Sequence, residues 1–306
     1  MKAITLEELL EAGCHFGHQV TRQNPKAREF IFEARDNIHI IDLGKTKEGL
    51  EEAAAFLLKL AQDPESTLLV VGTKRQAVSI IEEELARVKE VAKEKPLGLF
   101  SVTKRWMGGT LTNTQAISRN YARLNELTDS INSEDWKQKY TKRELVLFEK
   151  ERQKYETYYG GIVNMKKMPS ALFVVDTHTE DLAVREGNRM KIPVVGIVDT
   201  NADPDLIDYV IPANDDAVGS LKLLISYILD AWTEGKMKPV EESAPIVKKV
   251  EAPAPVIAPS PASGGSNAKQ SDKKKSSKEE SQTSLTTPTS QKKPAKKSAA
   301  KKEKKG

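Results

Sequence analysis

The residues in this sequence whose types and spacing could do chemistry are paired histidines, aspartates that close apolar runs, and two basic turns rich in glycine. His15 and His18 lie in Gly13-Cys14-His15-Phe16-Gly17-His18, and Asp199 and Asp215 each follow a short apolar run. If those runs are parallel strands, both carboxylates sit at the strand edge where open α/β sheets bind ligands. His18, Asp199 and Asp215 could then hold a divalent ion, zinc or magnesium. The competing reading is structural, with satisfied histidines and turn-capping aspartates. A second pattern is Gly72-Thr73-Lys74-Arg75-Gln76-Ala77, between a strand-like and a helix-like stretch. A helix N-terminus favours phosphate because its first N–H groups lack partners and its dipole is positive there. Gly72 permits close approach, and Lys74 and Arg75 add full charges. The spacing of a nucleotide-cradling loop, Gly-x-x-x-x-Gly-Lys, is absent, so the expected anion is a nucleic-acid backbone phosphate. An ordinary turn with two surface cations remains the alternative. In Lys104-Arg105-Trp106-Met107-Gly108-Gly109-Thr110-Leu111-Thr112-Asn113, cations, an indole and a Gly-Gly step suit RNA approach with base stacking. The same run also reads as a hinge whose tryptophan belongs to the core.

Enzyme signatures are missing. There is no Gly-x-Ser-x-Gly, His-Glu-x-x-His or Gly-x-Gly-x-x-Gly. The acidic runs Asp199–Asp205 and Asp215–Asp216 are the only enzyme-like clusters, and turn chemistry suffices for Asp203-Pro204-Asp205. A metal-dependent hydrolase or phosphoryl-transfer enzyme built on Asp199, Asp215 and a histidine is the alternative function.

Positioning such residues requires strands and helices in alternation, and residues 1–102 and 163–235 supply it. Ile38–Leu43, Leu68–Gly72, Ala171–Asp176, Pro193–Asp199 and Tyr209–Pro212 are apolar runs of strand length, mostly continuous, as in strands covered on both faces. Between them run helical stripes: Leu50, Ala54, Leu57, Leu58 and Ala61; Ala77, Ile80, Ile81, Leu85 and Val88; Leu221, Leu224, Ile225, Ile228 and Trp232. Thr177 with Glu180, and Thr112 with Gln115, have the spacing of helix-capping pairs. The alternation predicts an α/β domain with a mostly parallel sheet flanked by helices. Two heptad seams interrupt it: Ile117, Tyr121, Leu124, Thr128, Ile131, then Leu145, Phe148, Arg152, Tyr155, Tyr159. Asn132–Asp135 supplies a turn, and Thr141 with Glu144 has capping-box spacing. Segment 104–167 therefore reads as an inserted antiparallel two-helix coiled coil; it holds 13 Lys plus Arg against 8 acids.

Charge is unevenly placed. The net +4 of 306 residues conceals a basic end: residues 266–306 carry 13 Lys and four acids, or +9, which leaves −5 for the other 265. Residues 241–306 contain seven Pro and no aromatic residue, so the domain is expected to span 1–240 and the remainder to be a disordered Pro/Ser/Lys-rich tail. Such a tail suits nucleic acid or merely solvent. No run approaches the ~18 apolar residues of a membrane span. The start reads as neither signal nor transit peptide, and the lone Cys14 fits a reducing compartment.

Taken together, these motifs resemble one family, small-subunit ribosomal protein two, across residues 3–235. The resemblance lies in His15–His18, Asn24-Pro25-Lys26, Phe30-Ile31-Phe32, Ile38–Leu43, Gly72–Ala77, Arg105–Asn113, Ile192–Asn201 and Asp208–Ala217, in the family's order. It implies a flavodoxin-like α/β fold with a protruding hairpin that marks the bacterial or organellar branch. It further implies a structural role in the small ribosomal subunit, without catalysis or a required cofactor. The implied partners are small-subunit ribosomal RNA and neighbouring ribosomal proteins, ribosomal protein one of bacteria among them, with no membrane and no small-molecule substrate. The implied location is the ribosome of a bacterial cytoplasm or an organelle stroma. By motif match, Lys26, Arg28, Lys74, Arg75, Lys104, Arg105 and Trp106 are candidate RNA-facing residues. The long basic tail departs from the family's usual short end.

Overall fold

The computed structural model describes residues 3–93, 95–133, 136 and 139–238; the expected tail at 241–306 lies outside the described residues. In chain order the elements are α1 (Leu6–Glu11), β1 (Phe16–Gln19), β2 (Ile31–Arg35), β3 (Ile38–Ile41), α2 (Leu43–Ala61), β4 (Leu68–Val71), α3 (Arg75–Ala92), β5 (Leu99–Val102), α4 (Thr114–Asn132), α5 (Lys142–Tyr159), β6 (Ala171–Val174), α6 (Asp181–Arg189), β7 (Val194–Val198), β8 (Tyr209–Pro212) and α7 (Val218–Met237).

Strands covered on both faces need apolar side chains at every position. β4, β6 and β7 meet that demand and are buried at every residue. With β5 and β8 they form a five-stranded, all-parallel sheet in the order β5-β4-β6-β7-β8. Counted within the sheet this is 2-1-3-4-5, the flavodoxin-like doubly wound order. The alternating pleat divides the core. Leu68 and Val70 pack with α2, α3 and α7, including the expected stripe from Leu221 to Trp232. Leu69 and Val71 face the other way, onto Trp106, Leu111, Ile117, Tyr159, Ile162 and Ala183. That second layer is α6 and the root of the hairpin. The inserted segment therefore builds half the core rather than merely hanging from it.

Ile38–Ile41 departs from the sequence expectation. It does not join the parallel sheet but centres a separate antiparallel one, β1-β3-β2. Asp36 and Asn37 join β2 to β3 with φ of 50° and 64°, the left-handed pair of a type I′ hairpin. Asp42 then stops the strand by accepting from the Gly44 N–H at 2.9 Å and capping α2. β1, β2 and β5 were not legible in advance; β2 is exposed at four of its five positions and so carries no apolar run.

The two heptad segments do form an antiparallel pair. Arg123 meets Glu151 at 3.1 Å, Asn120 donates to the Tyr159 hydroxyl at 3.0 Å, and Tyr121 packs edge-on to Tyr159. The polar seam members are satisfied locally: Thr128 donates to the Leu124 carbonyl, and Arg152 pairs with Glu149 and Glu156. Thr141 and Glu144 form a true capping box at the start of α5. The other two expected caps are absent. Thr177 donates instead to the Ile197 carbonyl, tying β6 to β7, and α6 starts after Glu180 without a side-chain cap. Asn113, not Thr112, caps α4.

Thr112 is engaged elsewhere, by Glu186 of α6. That buried carboxylate accepts from the Trp106 indole at 3.2 Å and from the N–H groups of Gly109, Leu111 and Thr112 at 2.7, 3.0 and 3.2 Å, and from the Thr112 hydroxyl at 3.2 Å. The loop from sheet to hairpin is thus wound around one anion. At the hairpin's return, a Cβ at Gly161 would collide with the Ser101 carbonyl oxygen, so only glycine lets the chain lie against β5.

Burial alone would raise the Glu186 pKa, but the converging donors outweigh it and hold the carboxyl below the usual glutamate value. A depressed folded-state pKa means stability that is complete above the unfolded value of about 4.3 and is lost as pH falls through the folded one. Glu186→Gln turns a donor toward those N–H groups and should cost about 3 kcal/mol at neutral pH. Urea unfolding of both proteins at several pH values checks this, and the gap should close in acid.

Candidate nucleic-acid interface and the ion cluster beside it

The histidine, glycine-turn and aspartate motifs singled out in the sequence reach the same edge of the sheet, because each follows the C-terminal end of a parallel strand or lies across one. Lys74 follows β4, Lys104 and Arg105 follow β5, Asp176 follows β6, Asp199 follows β7, and Asp215 follows β8. The N-terminal segment lies over this edge. The His18 N–H donates to the Thr200 hydroxyl at 2.9 Å and the Asn24 N–H to the Thr200 carbonyl at 2.8 Å.

At the switch point between β4 and β6, where a flavodoxin-like sheet opens its ligand crevice, the protein has placed its own ions. The Lys74 ammonium lies 2.9 Å from Asp215, 2.6 Å from Asp216 and 3.5 Å from Asp176. Its neighbour Thr73 donates to Glu180. His18 Nδ1 meets Asp199 at 3.1 Å and Nε2 lies 3.5 Å from Asp216. Asp199 also accepts from the backbone and hydroxyl of Thr200, and Asp176 from the N–H groups of His178 and Thr179. Ligand atoms of His18, Asp199 and Asp215 lie within 4.8 Å of one another, so the three residues named from sequence as possible metal ligands do come together. Sequence groups Asp216 with Asp215, but it does not reveal Lys74 in the same cluster.

Two positive groups here face four aspartates, and burial amplifies the imbalance. Burial, helped by the charges of Asp176 and Asp199, pushes the Asp215 carboxyl up to about 7. Its hydrogen bond to Asp199 holds the His18 imidazolium above the usual histidine range despite burial. Burial works against the Lys74 charge, but Asp216 and Asp215 outweigh it and keep the ammonium firmly protonated.

The seven residues matched to an RNA-facing role separate into three groups. Lys74 is committed to the cluster, and Lys26 is clamped by Asp203 at 2.8 Å and Asp205 at 2.6 Å. Trp106 is 6% exposed, with its indole N–H on Glu186, so its ring faces the core, as the hinge reading had it. Arg28, Arg75, Lys104 and Arg105 are exposed, and none has an acidic partner among the described residues. Arg75 opens α3, and Arg28 lies in the 3₁₀ turn Pro25–Phe30, which Lys26 pins beside β7's end. Sequence reasoning missed Glu186 altogether, since a lone glutamate in a charged helix has no local signature.

A doubly wound sheet whose crevice is filled by internal ion pairs, edged with free cations and extended by a basic hairpin, defines a binding scaffold. Comparison with known proteins agrees. A family model described as "Ribosomal protein S2" matches residues 9–235. The chain is also 48% identical over 235 residues to the small ribosomal subunit protein uS2 of Geotalea uraniireducens (strain Rf4), covering 77% of this chain and 88% of that one. The chain belongs to the ribosomal protein S2 family.

Lys74→Met leaves the four aspartates facing only His18 and should cost about 3–5 kcal/mol at neutral pH, the usual penalty for stripping one partner from a buried pair. Because the remaining carboxyls take up protons readily, the deficit relative to the unaltered protein should shrink as pH falls toward about 5. Thermal melts of both proteins across that range check the sign.

Proposed function

We propose that this chain docks on small-subunit ribosomal RNA through the strand-end edge that carries Arg28, Arg75, Lys104 and Arg105. As a member of its family it is a structural constituent of the small ribosomal subunit and not an enzyme. Ribosomal RNA and neighbouring ribosomal proteins are its partners, and the family requires no cofactor. The observation that carries the RNA reading is the contrast within one edge. Lys26 and Lys74 are neutralised by aspartates, while four cations beside them are left free. Free cations fixed on a rigid edge position phosphates, whatever the net charge of the body. The protein partners extend, by the resemblance described above, to ribosomal protein one of bacteria. The similarity to a bacterial relative supports a ribosome of the bacterial cytoplasm.

The triple charge reversal Arg75→Glu, Lys104→Glu, Arg105→Glu should leave the melting temperature within a few degrees. It should lower co-sedimentation with the small subunit and flatten the salt dependence of binding, by roughly 0.7–0.9 in log–log slope per lost phosphate contact. Unchanged co-sedimentation at every salt concentration would remove this edge from the RNA site.

The cluster also carries the donors of a divalent-ion site. One imidazole and two buried carboxylates around an excess of negative charge suit zinc, with His18, Asp199 and Asp215 as donors; magnesium would prefer oxygen donors alone. Elemental analysis of the purified full chain should find zinc near one equivalent, lost in His18→Ala. Absence of zinc and magnesium from folded protein would leave Lys74 as the cluster's sole permanent cation.

A further inference from the structure

The indole expected to stack on RNA is buried, yet the loop that holds it borders a surface cleft lined by another aromatic ring. The cleft lies at the hairpin root, between the first turns of α4 and residues 165–168, and encloses about 280 Å³. Ile117, Tyr121, Met165 and Met168 supply its apolar wall, and Thr114 and Lys166 lie on its lining. The volume falls near the low end of small-ligand sites, roughly 300 Å³, which suits a single planar ring system rather than a large cofactor.

We propose that this cleft seats one unstacked nucleotide of the RNA, its base against Tyr121 and the two methionines and its phosphate toward Lys166. The inference rests on the RNA-binding reading above and names where a base, rather than a backbone, is gripped. Four features favour a base. Tyr121 is anchored edge-on to Tyr159, so its ring is fixed as one wall before anything binds. Its hydroxyl and that of Thr114 have no hydrogen-bond partner among the described residues, which leaves two polar groups for a base edge. Burial and the neighbouring Tyr159 raise the Tyr121 pKa to about 12, so the phenol stays a donor. Methionine side chains repack around rings of different shape, which suits any of the four bases. Charge complementarity selects a polyanion. Lys166 is exposed without an acidic partner among the described residues, and the surrounding segment 104–167 has 13 cations against 8 acids. Lys167, by contrast, is paired with Glu65 at 2.7 Å. A perfect duplex keeps its bases stacked and out of reach, so the cleft calls for a bulged or looped nucleotide.

The experiment is short-wave ultraviolet crosslinking of small subunits assembled with the full chain, with adducts mapped by mass spectrometry on the protein and by primer extension on the RNA. The expected result is an adduct from one unpaired nucleotide to the peptides holding Tyr121 or Met165–Met168. Lys166→Glu, an exposed change that spares the fold, should reduce that adduct several-fold while adducts near Arg75 and Arg105 persist. Tyr121→Phe should weaken it less than Lys166→Glu does, because the stacking ring stays and only one hydrogen bond to the base edge is lost. Adducts confined to the Arg75–Arg105 edge would overturn the cleft proposal and leave the RNA reading standing. Adducts nowhere on the chain would overturn both. A Lys166 crosslink to a neighbouring ribosomal protein, with none to RNA at the cleft, would also overturn it.

Discussion

Much of this structure depends on one ammonium group. Lys74 stands at the switch point of the sheet, where a doubly wound fold ordinarily leaves a crevice for a ligand, and it offsets the carboxylates of Asp176, Asp215 and Asp216. Those aspartates come from the ends of β6 and β8, so one side chain ties β4 to its neighbour β6 and, beyond β7, to the edge strand β8. His18 extends the network to Asp199 and with it holds the N-terminal segment across the same edge. The crevice is therefore lined by the protein's own ions, engaged mainly with one another around a residual negative charge. The same scaffold elsewhere supports catalysis, because fold does not fix function.

A second buried anion solves the complementary problem of aiming the hairpin. Glu186 gathers three backbone N–H groups, a hydroxyl and an indole from the loop leading into α4. A loop of that kind would otherwise leave several donors unpaired inside the core, each a sizeable cost. Winding it on a carboxylate satisfies them together and fixes where α4 leaves the sheet. Trp106 then serves as core packing, and the chemistry of the neighbouring surface passes to residues flanking it. The cations immediately before it, Lys104 and Arg105, are turned outward by the same loop geometry.

Much of this was readable from the amino acids, and the failures have physical causes. Continuous apolar runs named β4, β6 and β7 because burial on both faces leaves no room for polar side chains, and a shorter run named β8, which is buried only over its second half. The heptads named the hairpin because a seam must repeat wherever two helices meet. β2 and β5 escaped, since one is largely exposed and the other is a partly exposed edge strand, and neither needs an apolar run. The capping pairs at Thr177 and Thr112 were misleading because both hydroxyls found better partners across the fold. His18, Asp199 and Asp215 converge as their positions at strand ends implied. The partner that decides the cluster's meaning, Lys74, is distant in sequence from His18, Asp199 and Asp215, and no spacing rule reaches it. Trp106 shows the same limit, because a motif rich in glycine, cations and an indole does not say which way the ring turns.

The distribution of charge, rather than its sum, is what reconciles a mildly acidic body with an RNA partner. The −5 carried by residues 1–265 includes acids gathered in excess around Lys26, Lys74 and His18, a local excess that salt screens beyond a Debye length of about 8 Å. Subtracting paired groups leaves an edge where Arg28, Arg75, Lys104 and Arg105 act alone. A phosphate approaching that edge meets local positive potential fixed by strands and by a wound loop, not by flexible chain, so little ordering entropy opposes binding. Internal ion pairs thus do two things at once. They remove some cations from the surface, and in doing so they sharpen the contrast that marks out the ones that remain.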